Sequence, residues 1–440
     1  MNNISLFAHT VVCLFVFSAL IWVIKIIYSS FKISDDKYTE NNEADLSNSK
    51  LFVLLPVLHE TSRLENTLRH FSELVKNSRL TIKVVVITTE KEYLNATSAT
   101  NSSELNTIKL VKRLKNDYPI RHLHYGNSSG NMSHQVNYAV RTITGETDSN
   151  VMFALYNADS IPQINSFEWI TSHSKYQDEL IIFQQYGLYD ANIDTLKSSN
   201  TWFSNCCLQA ASLWQIRWAI GFEYFNASLQ RALRSKRNIS MNYCIGHGLF
   251  FNRNVFYKLG GFSEVFPNED AIFGLQASYL DIPIVPVPYF ETCESPDSVE
   301  ALYIQKSTWH NGPRHAFRYY NQLKKHYSNK VKLFLFCTQL FEHATRWILF
   351  PALFTLLIVF FMTNVISGST LLMVYLSYLY VPCVLSYLIL KKKVDSSMLS
   401  ILINVFCGLP IMFVLHGASA VRSIIRDFLN KPKEKTPVLN

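Results

Sequence analysis

The stretch "VMFALYNADSIP", Val151 to Pro162, decides how this chain is read. An unbroken apolar and aromatic run stops abruptly at Asn157-Ala158-Asp159-Ser160. Such a run, bounded by turn residues, fits a strand covered on both faces of a parallel sheet. Ligands of open α/β sheets bind beyond the carboxyl ends of the strands. Asp159 therefore stands where a ligand is expected, although an ordinary strand-to-turn exit reads the same way in isolation.

The flanking sequence repeats the theme. "LFVLLPVL" (Leu51–Leu58) and "TIKVVVITTE" (Thr81–Glu90) are further continuous apolar runs. Between them Leu64, Leu68, Phe71 and Leu74 or Val75 recur at helical spacing, with Ser62 and Glu65 placed as a capping box. Asn131 to Thr142 reads as a helix with Val136 and Val140 on one face. The β-α-β-α-β order predicts a doubly wound, mostly parallel sheet over residues 50–315.

Apolar segments flank this domain. Leu6 to Ile27 is long enough to span a bilayer. It lacks the basic start and small-residue cleavage site of a signal peptide. Its charge lies at its end, Lys25, and beyond it, Lys32, which predicts the next domain in the cytoplasm. Trp347–Met362 and Leu371–Leu390 read as two more spans, joined by the uncharged "TNVISGS" and followed by Lys391-Lys392-Lys393. "VKLFLFCTQLFEHATR" carries Glu342, His343 and Arg346 and suits an interfacial helix. The last segment, Leu399 to Ile425, is interrupted by Gly408-Leu409-Pro410. A full span there would put the basic tail outside, whereas a re-entrant or interfacial segment keeps it inside. The latter is the expectation. The organisation is then an N-terminal helix (1–30), a linker (31–49), the α/β domain (50–315), interfacial helices (316–346), membrane helices (347–430) and a basic tail (431–440).

Composition agrees. The 440 residues are 48% hydrophobic, with a net charge of +8. Lys and Arg cluster beside apolar segments, which points to a membrane surface and not to nucleic acid. The eight cysteines show no C-x-x-C spacing and read as small hydrophobes in a reducing compartment. There is no Walker A or GxGxxG pattern.

Further polar points punctuate the second half. Gly246-His247-Gly248 precedes an apolar strand and permits close backbone approach. Gly260-Gly261-Phe262 makes a turn, and Asn268-Glu269-Asp270 opens a helix running from Ala271 to Leu280. "QKSTWHNGPR" follows, with Gln305, Trp309 and Arg314. Taken singly, each has a plain structural reading: carboxylates favour a first helical turn, a lone Trp is core, a lone Arg is a solvated face.

Their order is more specific, and it resembles the membrane-attached family 2 glycosyltransferases of GT-A fold, related to cellulose, hyaluronan and ceramide-glucose synthases. "LFVLLPVLHE" resembles the family's first strand, "GNMSHQVNYAV" its Gly-Lys-x-x-x-Leu-Asn helix and "YNADSIP" its Asp-x-Asp segment. "NEDAIFG" resembles Thr-Glu-Asp, and "QKSTW" resembles Gln-x-x-Arg-Trp. The resemblance implies inverting transfer of a sugar from a nucleotide donor, a UDP-sugar being expected. The acceptor would be a lipid-linked or glycan molecule at the cytoplasmic face of a bacterial inner membrane. It implies a Mn2+ or Mg2+ ion on Asp159 and Asn157, which neutralises the departing diphosphate. Asp270, with Glu269 beside it, would be the catalytic base. Pro56, Glu60, Glu90, Asn157, Asp159 and His247 would bind the donor; Gln305, Trp309 and Arg314 would bind the acceptor, His247 and Arg314 also being candidates for the diphosphate. Four departures stand out. Asn157 occupies the first Asp position, the second strand ends without the base-reading Asp, "GNMSHQVN" lacks the Lys, and Thr308 replaces the Arg. They leave a second reading, a catalytically impaired scaffold or partner subunit of the same fold.

Overall fold

The computed structural model describes residues 3–38, 50–93, 106–147, 151–172, 179–197, 201–233, 240–242, 244–266, 268–391 and 396–430. Most of the linker (39–49), Lys392-Lys393 and the tail (431–440) lie outside the described residues. The chain divides into two units, one of Ile33–Gly187 with Ala227–Cys293, the other of Met1–Lys32, Leu188–Asn226 and Glu294–Asn440.

The first unit is built on a seven-stranded sheet. Its strands are β1 (Lys50–Pro56), β2 (Thr81–Thr89), β3 (Ile120–Tyr125), β4 (Met152–Leu155), β5 (Ile182–Gln184), β7 (Leu249–Asn252) and β8 (Ile284–Pro286), in the order β3-β2-β1-β4-β7-β5-β8. Only β7 runs antiparallel to its neighbours, pairing Leu249 with Leu155 and with Gln184. Short strands β6 (Gly187–Leu188) and β9 (Glu291–Thr292) pair where the chain leaves the unit.

Strand alternation divides the core into two layers. Leu51, Val53, Leu55, Val84 and Val86 face α2 (Leu64–Asn77), α3 (Thr107–Leu114) and α5 (Ile164–Ser172). Phe52, Leu54, Val85 and Ile87 face α4 (Met132–Gly145), α8 (Arg253–Leu259) and α9 (Glu269–Tyr279). Both layers are apolar, which is why the strands read as continuous hydrophobic runs. The fold is α/β with a mostly parallel sheet, as the sequence predicts. The expected capping box on α2 is not formed: the helix begins at Leu64 with Arg63 at the cap and no side-chain cap. Ser62 lies one residue too early. α4 carries such a box instead, between Asn131 and His134.

The other unit is helical. It holds the first part of α1 (Asn3–Tyr38), α6 (Trp202–Trp218), α10 (Val299–Arg314), α11 (Ala316–Leu323), α12 (Lys330–Met362), α13 (Gly368–Val374), α14 (Val381–Leu390) and α15 (Ser396–Phe428). The short α7 (Phe225–Ala232) follows α6 through a π-helical segment. Four helices are long and apolar enough to cross a membrane: Asn3–Lys37, Lys330–Met362, Gly368–Leu390 and Met398–Phe428.

Two details differ from the sequence expectation. The segment expected as a separate interfacial helix is the first half of α12, which runs unbroken to Met362. At 1.5 Å per residue, α12 is roughly 50 Å long, more than the ~30 Å of a bilayer core. Glu342 and Arg346, paired at i,i+4, fall in the half the bilayer need not cover. α15 likewise runs through Gly408-Leu409-Pro410 without a break. Pro410 cannot donate to the carbonyl of Phe406, and the Tyr375 hydroxyl supplies that hydrogen bond. Gly408 admits α6, since a Cβ there would lie 2.0 Å from the Cys206 carbonyl oxygen. Tight packing at a small residue, not a hinge, accounts for the glycine.

Candidate active site

The topology puts the candidate residues of the sheet unit on one edge. β1, β2 and β4 are parallel, so Pro56, the last residue of β1, and Glu90 and Asn157-Asp159, which follow β2 and β4, lie at their carboxyl ends. β7 is reversed, so His247, ahead of its first residue Leu249, reaches that same edge. Asp270 joins it through a hydrogen bond from the Gly246 amide to its Oδ2, at 2.8 Å. The Ala271 amide donates to Oδ1, also at 2.8 Å. Both oxygens are thus oriented by backbone amides, one from the loop ahead of β7 and one from the first turn of α9. Glu269 beside it is buried. Burial, with the Asp270 carboxylate nearby, pushes the Cys244 thiol well up.

The turn after β4 is closed locally. The Asn157 amide donates to Ser160 Oγ at 3.2 Å, and the Ser160 amide to the Asn157 carbonyl at 3.3 Å. The Thr67 hydroxyl donates to the Ala158 carbonyl. These bonds tie down the backbone of the turn and leave the Asn157 and Asp159 side chains aside. Among the described residues, no hydrogen bond or ion pair engages the Asn157 side-chain amide or the half-buried Asp159 carboxylate. A carboxylate without a protein partner, next to an amide oxygen, is a donor set that suits a hard divalent cation.

At the β2 end, Glu90 is engaged: its Oε2 lies 2.9 Å from His124 Nε2. Thr88 Oγ1 bridges His122 Nε2 (2.8 Å) and His124 Nδ1 (2.9 Å). Burial holds His122 below its ordinary pKa, with His124 adding to the effect. The Glu60 amide donates to Thr107 Oγ1 at 3.0 Å, and Glu92 ties the same segment to the Thr107 amide and hydroxyl. His134, near the position of the family's Lys, is occupied as a cap of α4.

The Gly246-His247-Gly248 loop is held from below. Gln184 Nε2 donates to the His247 and Gly248 carbonyls, and Gln184 Oε1 accepts from the Ile245 amide at 2.9 Å. Gly248 adopts φ +60°, and a Cβ there would lie 2.4 Å from the Gln185 carbonyl oxygen. His247 is itself buried and touches Glu291. Beneath them the Tyr156 hydroxyl bonds Gln185, whose amide donates to Ser166. Burial, with the Glu291 charge nearby, pushes that hydroxyl well up.

Gln305, Trp309 and Arg314 belong to the helical unit. The Trp309 ring packs on Tyr189 at 5.8 Å, with Lys306 Nζ 4.3 Å from its centre. Arg314 pairs with Asp427 at 3.1 Å. Thr308 bonds the Ile304 carbonyl of its own helix. Lys306, which the sequence reading passed over, is buried and donates to Gln215 Oε1 at 2.7 Å. Burial pulls its pKa down to about 7. Neither Lys306 nor Glu291 carries a sequence signal, since both look like ordinary surface charges until the fold encloses them.

Residues 214–421 match the model of the glycosyl transferase family group 2. The match covers Glu269-Asp270, the Gln-Trp segment and the helices that follow, just under half of the chain. It bears out, over that stretch, the family read from the sequence; Asn157 and Asp159 fall outside it. Among solved structures, the chain is similar to the mannosyltransferase PcManGT from Pyrobaculum calidifontis in complex with GDP-Man and Mn2+. The identity is 12% and the TM-score 0.45, over 95% of this chain and 100% of that one. It is also similar to S. aureus TarS 1-349 in complex with UDP-GlcNAc, at 12% identity and TM-score 0.31, over 60% of this chain and 66% of that one. M. tuberculosis glucosyl-3-phosphoglycerate synthase shows 11% identity and TM-score 0.31, over 61% and 76%. No curated protein matches the chain.

Proposed function

We propose that this chain is an inverting glycosyltransferase that moves a sugar from a nucleotide donor to a lipid-linked or glycan acceptor at the cytoplasmic face of a membrane. The observation that carries the reading is the edge beyond β4. The side chains of Asn157 and Asp159 are unengaged there, on the edge to which Asp270 is bound by the Gly246 amide. In the transfer, Asp270 takes the proton of the acceptor hydroxyl as its oxygen attacks the anomeric carbon. The bond from that carbon to the diphosphate breaks, and the nucleoside diphosphate leaves with the electron pair. Asn157 and Asp159 would hold a Mn2+ or Mg2+ ion, which neutralises charge on the leaving group. The backbone amides on Asp270 fix its oxygens before substrate arrives. Glu90, which follows β2, is proposed to read the nucleotide base, a UDP-sugar being the donor proposed. The acceptor roles of Gln305, Trp309 and Arg314 rest on the resemblance.

The test is donor turnover by detergent-purified protein with Mn2+ or Mg2+, together with thermal stabilisation by a panel of nucleoside diphosphates. Metal-dependent turnover in the wild type that is lost in Asp270→Asn supports the reading. The absence of turnover on every donor would leave the impaired-scaffold reading, which the Asn at position 157 favours.

A further inference from the structure

The segment after β8 and the loop ahead of β7 bring together three side chains from distant parts of the sequence. One ligand atom each from His247, Glu291 and Cys293 can be chosen so that all lie within 4.8 Å of one another. All three are buried, with relative exposures of 7%, 0% and 5%. His247 Nδ1 meets Glu291 Oε1. The other oxygen, Oε2, is buried with no hydrogen-bond partner among the described residues. A buried carboxylate oxygen left unpaired is costly, and metal coordination is one of the ways proteins compensate.

We propose that His247, Glu291 and Cys293 bind a zinc-class divalent ion as a structural site. The donor set is one nitrogen, one carboxylate and one thiolate. That mixture suits Zn2+, whereas Mg2+ and Mn2+ favour oxygen ligands. Glu291 and Cys293 are two residues apart at the exit of β9, so an extended backbone sends both side chains to one face. The segments that carry them are secured before any ion binds. The Glu291 amide donates to the Tyr186 carbonyl at 3.1 Å, and Thr292 exchanges two hydrogen bonds of 3.2 Å with Ile161. On the other side, Gln184 clamps the His247 and Gly248 carbonyls. Three residues leave one of the four positions of a tetrahedral zinc ion, and the second Glu291 oxygen, buried with no partner among the described residues, is at hand to fill it and close the site. The ion would brace the loop whose Gly246 amide holds Asp270. The site is distinct from Asn157 and Asp159, and the inference stands whether or not the chain transfers sugar.

The rival is a metal-free His–Glu hydrogen bond with Cys293 as a small hydrophobe. Elemental analysis of the full-length chain, purified in detergent without a metal-affinity step, separates the two. The expected result is about one zinc per chain, lost in Cys293→Ala. A chelator should lower the melting temperature, with recovery on adding Zn2+ and not Mg2+. Metal-free wild type, or zinc retained in both Cys293→Ala and Glu291→Gln, overturns the proposal. If the variants fail to fold, Co2+ exchanged into the wild type decides. A sulfur-to-cobalt charge-transfer band supports the site, and bound cobalt without that band overturns it.

Discussion

At the scale of single residues, the chemistry rests on how each carboxylate is held. Asp270 is fixed by two backbone amides, so Asp270→Asn keeps the shape and removes the base. Turnover is expected to fall by about 10²–10⁴, the range of general-base contributions, while nucleotide binding measured by thermal shift is kept. Asp159 and Asn157 present unengaged side chains, so their expected effects fall on the cation. Asp159→Ala should abolish metal-dependent nucleotide binding. Asn157→Asp restores a second anionic ligand and should lower the Mn2+ concentration that gives half-maximal turnover. No change in that concentration would detach residue 157 from the metal.

At the scale of elements, the reversed strand β7 matters most, because it carries the Gly246-His247-Gly248 loop to the ligand edge. The loop depends on Gly248, whose left-handed φ and lack of a Cβ permit the approach to Gln185. Gly248→Ala should destabilise the sheet unit by about 1–3 kcal/mol, read as a lower midpoint in denaturant. Retained stability with unchanged activity would show that the loop tolerates displacement. The helices show the same logic. Pro410 would normally interrupt a helix, but the Tyr375 hydroxyl satisfies the orphaned carbonyl and α15 continues.

At the scale of the whole molecule, two consequences follow within the helical unit. The first concerns pH. Burial pulls His310 and His315 down to about 4 from an ordinary 6.5. The folded state therefore favours the neutral rings, and the unfolded chain binds more protons between those values. Stability present above pH 6.5 is lost as pH falls toward 4. His310→Gln should flatten the fall in melting temperature across that window, and an unaltered slope would exclude His310 as a contributor. The second concerns topology. α12 and the α13–α14 segment are antiparallel, as Gly368 near Phe361 and Phe350 on Tyr378 show. Near its start α15 runs antiparallel to the α13–α14 segment, with Tyr380 on Leu402 and Tyr375 on Phe406. Further on it runs antiparallel to α12, with Phe354 on Phe413 and Trp347 on His416. No straight helix aligned with the other two can do both, so α15 crosses them. We expect the basic tail to share a face with Lys391. Protease-cleavable tags placed after residue 440 and within 392–395 should be cut from the same side of sealed vesicles, and cutting from opposite sides would require α15 to span.

The layers follow from local composition. Strands buried on two faces must be continuously apolar, so Leu51–Leu58 and Val151–Tyr156 announce a parallel sheet, and long apolar segments announce membrane-compatible helices. The Asp159 exit and the Glu269-Asp270 helix start were legible for the same reason, as polar residues where local pattern calls for none or places them at an end. β3 was not legible, since "IRHLHY" mixes charge with few apolar residues at the sheet edge. The reversal of β7 was not legible either, because strand direction leaves no mark on composition. Which distant residues meet is set by the packing of the whole fold. Gly246 reaches Asp270 across 24 positions and His247 reaches Glu291 across 44. Such contacts arise from packing free energy summed over the whole core, which no local run of residues encodes.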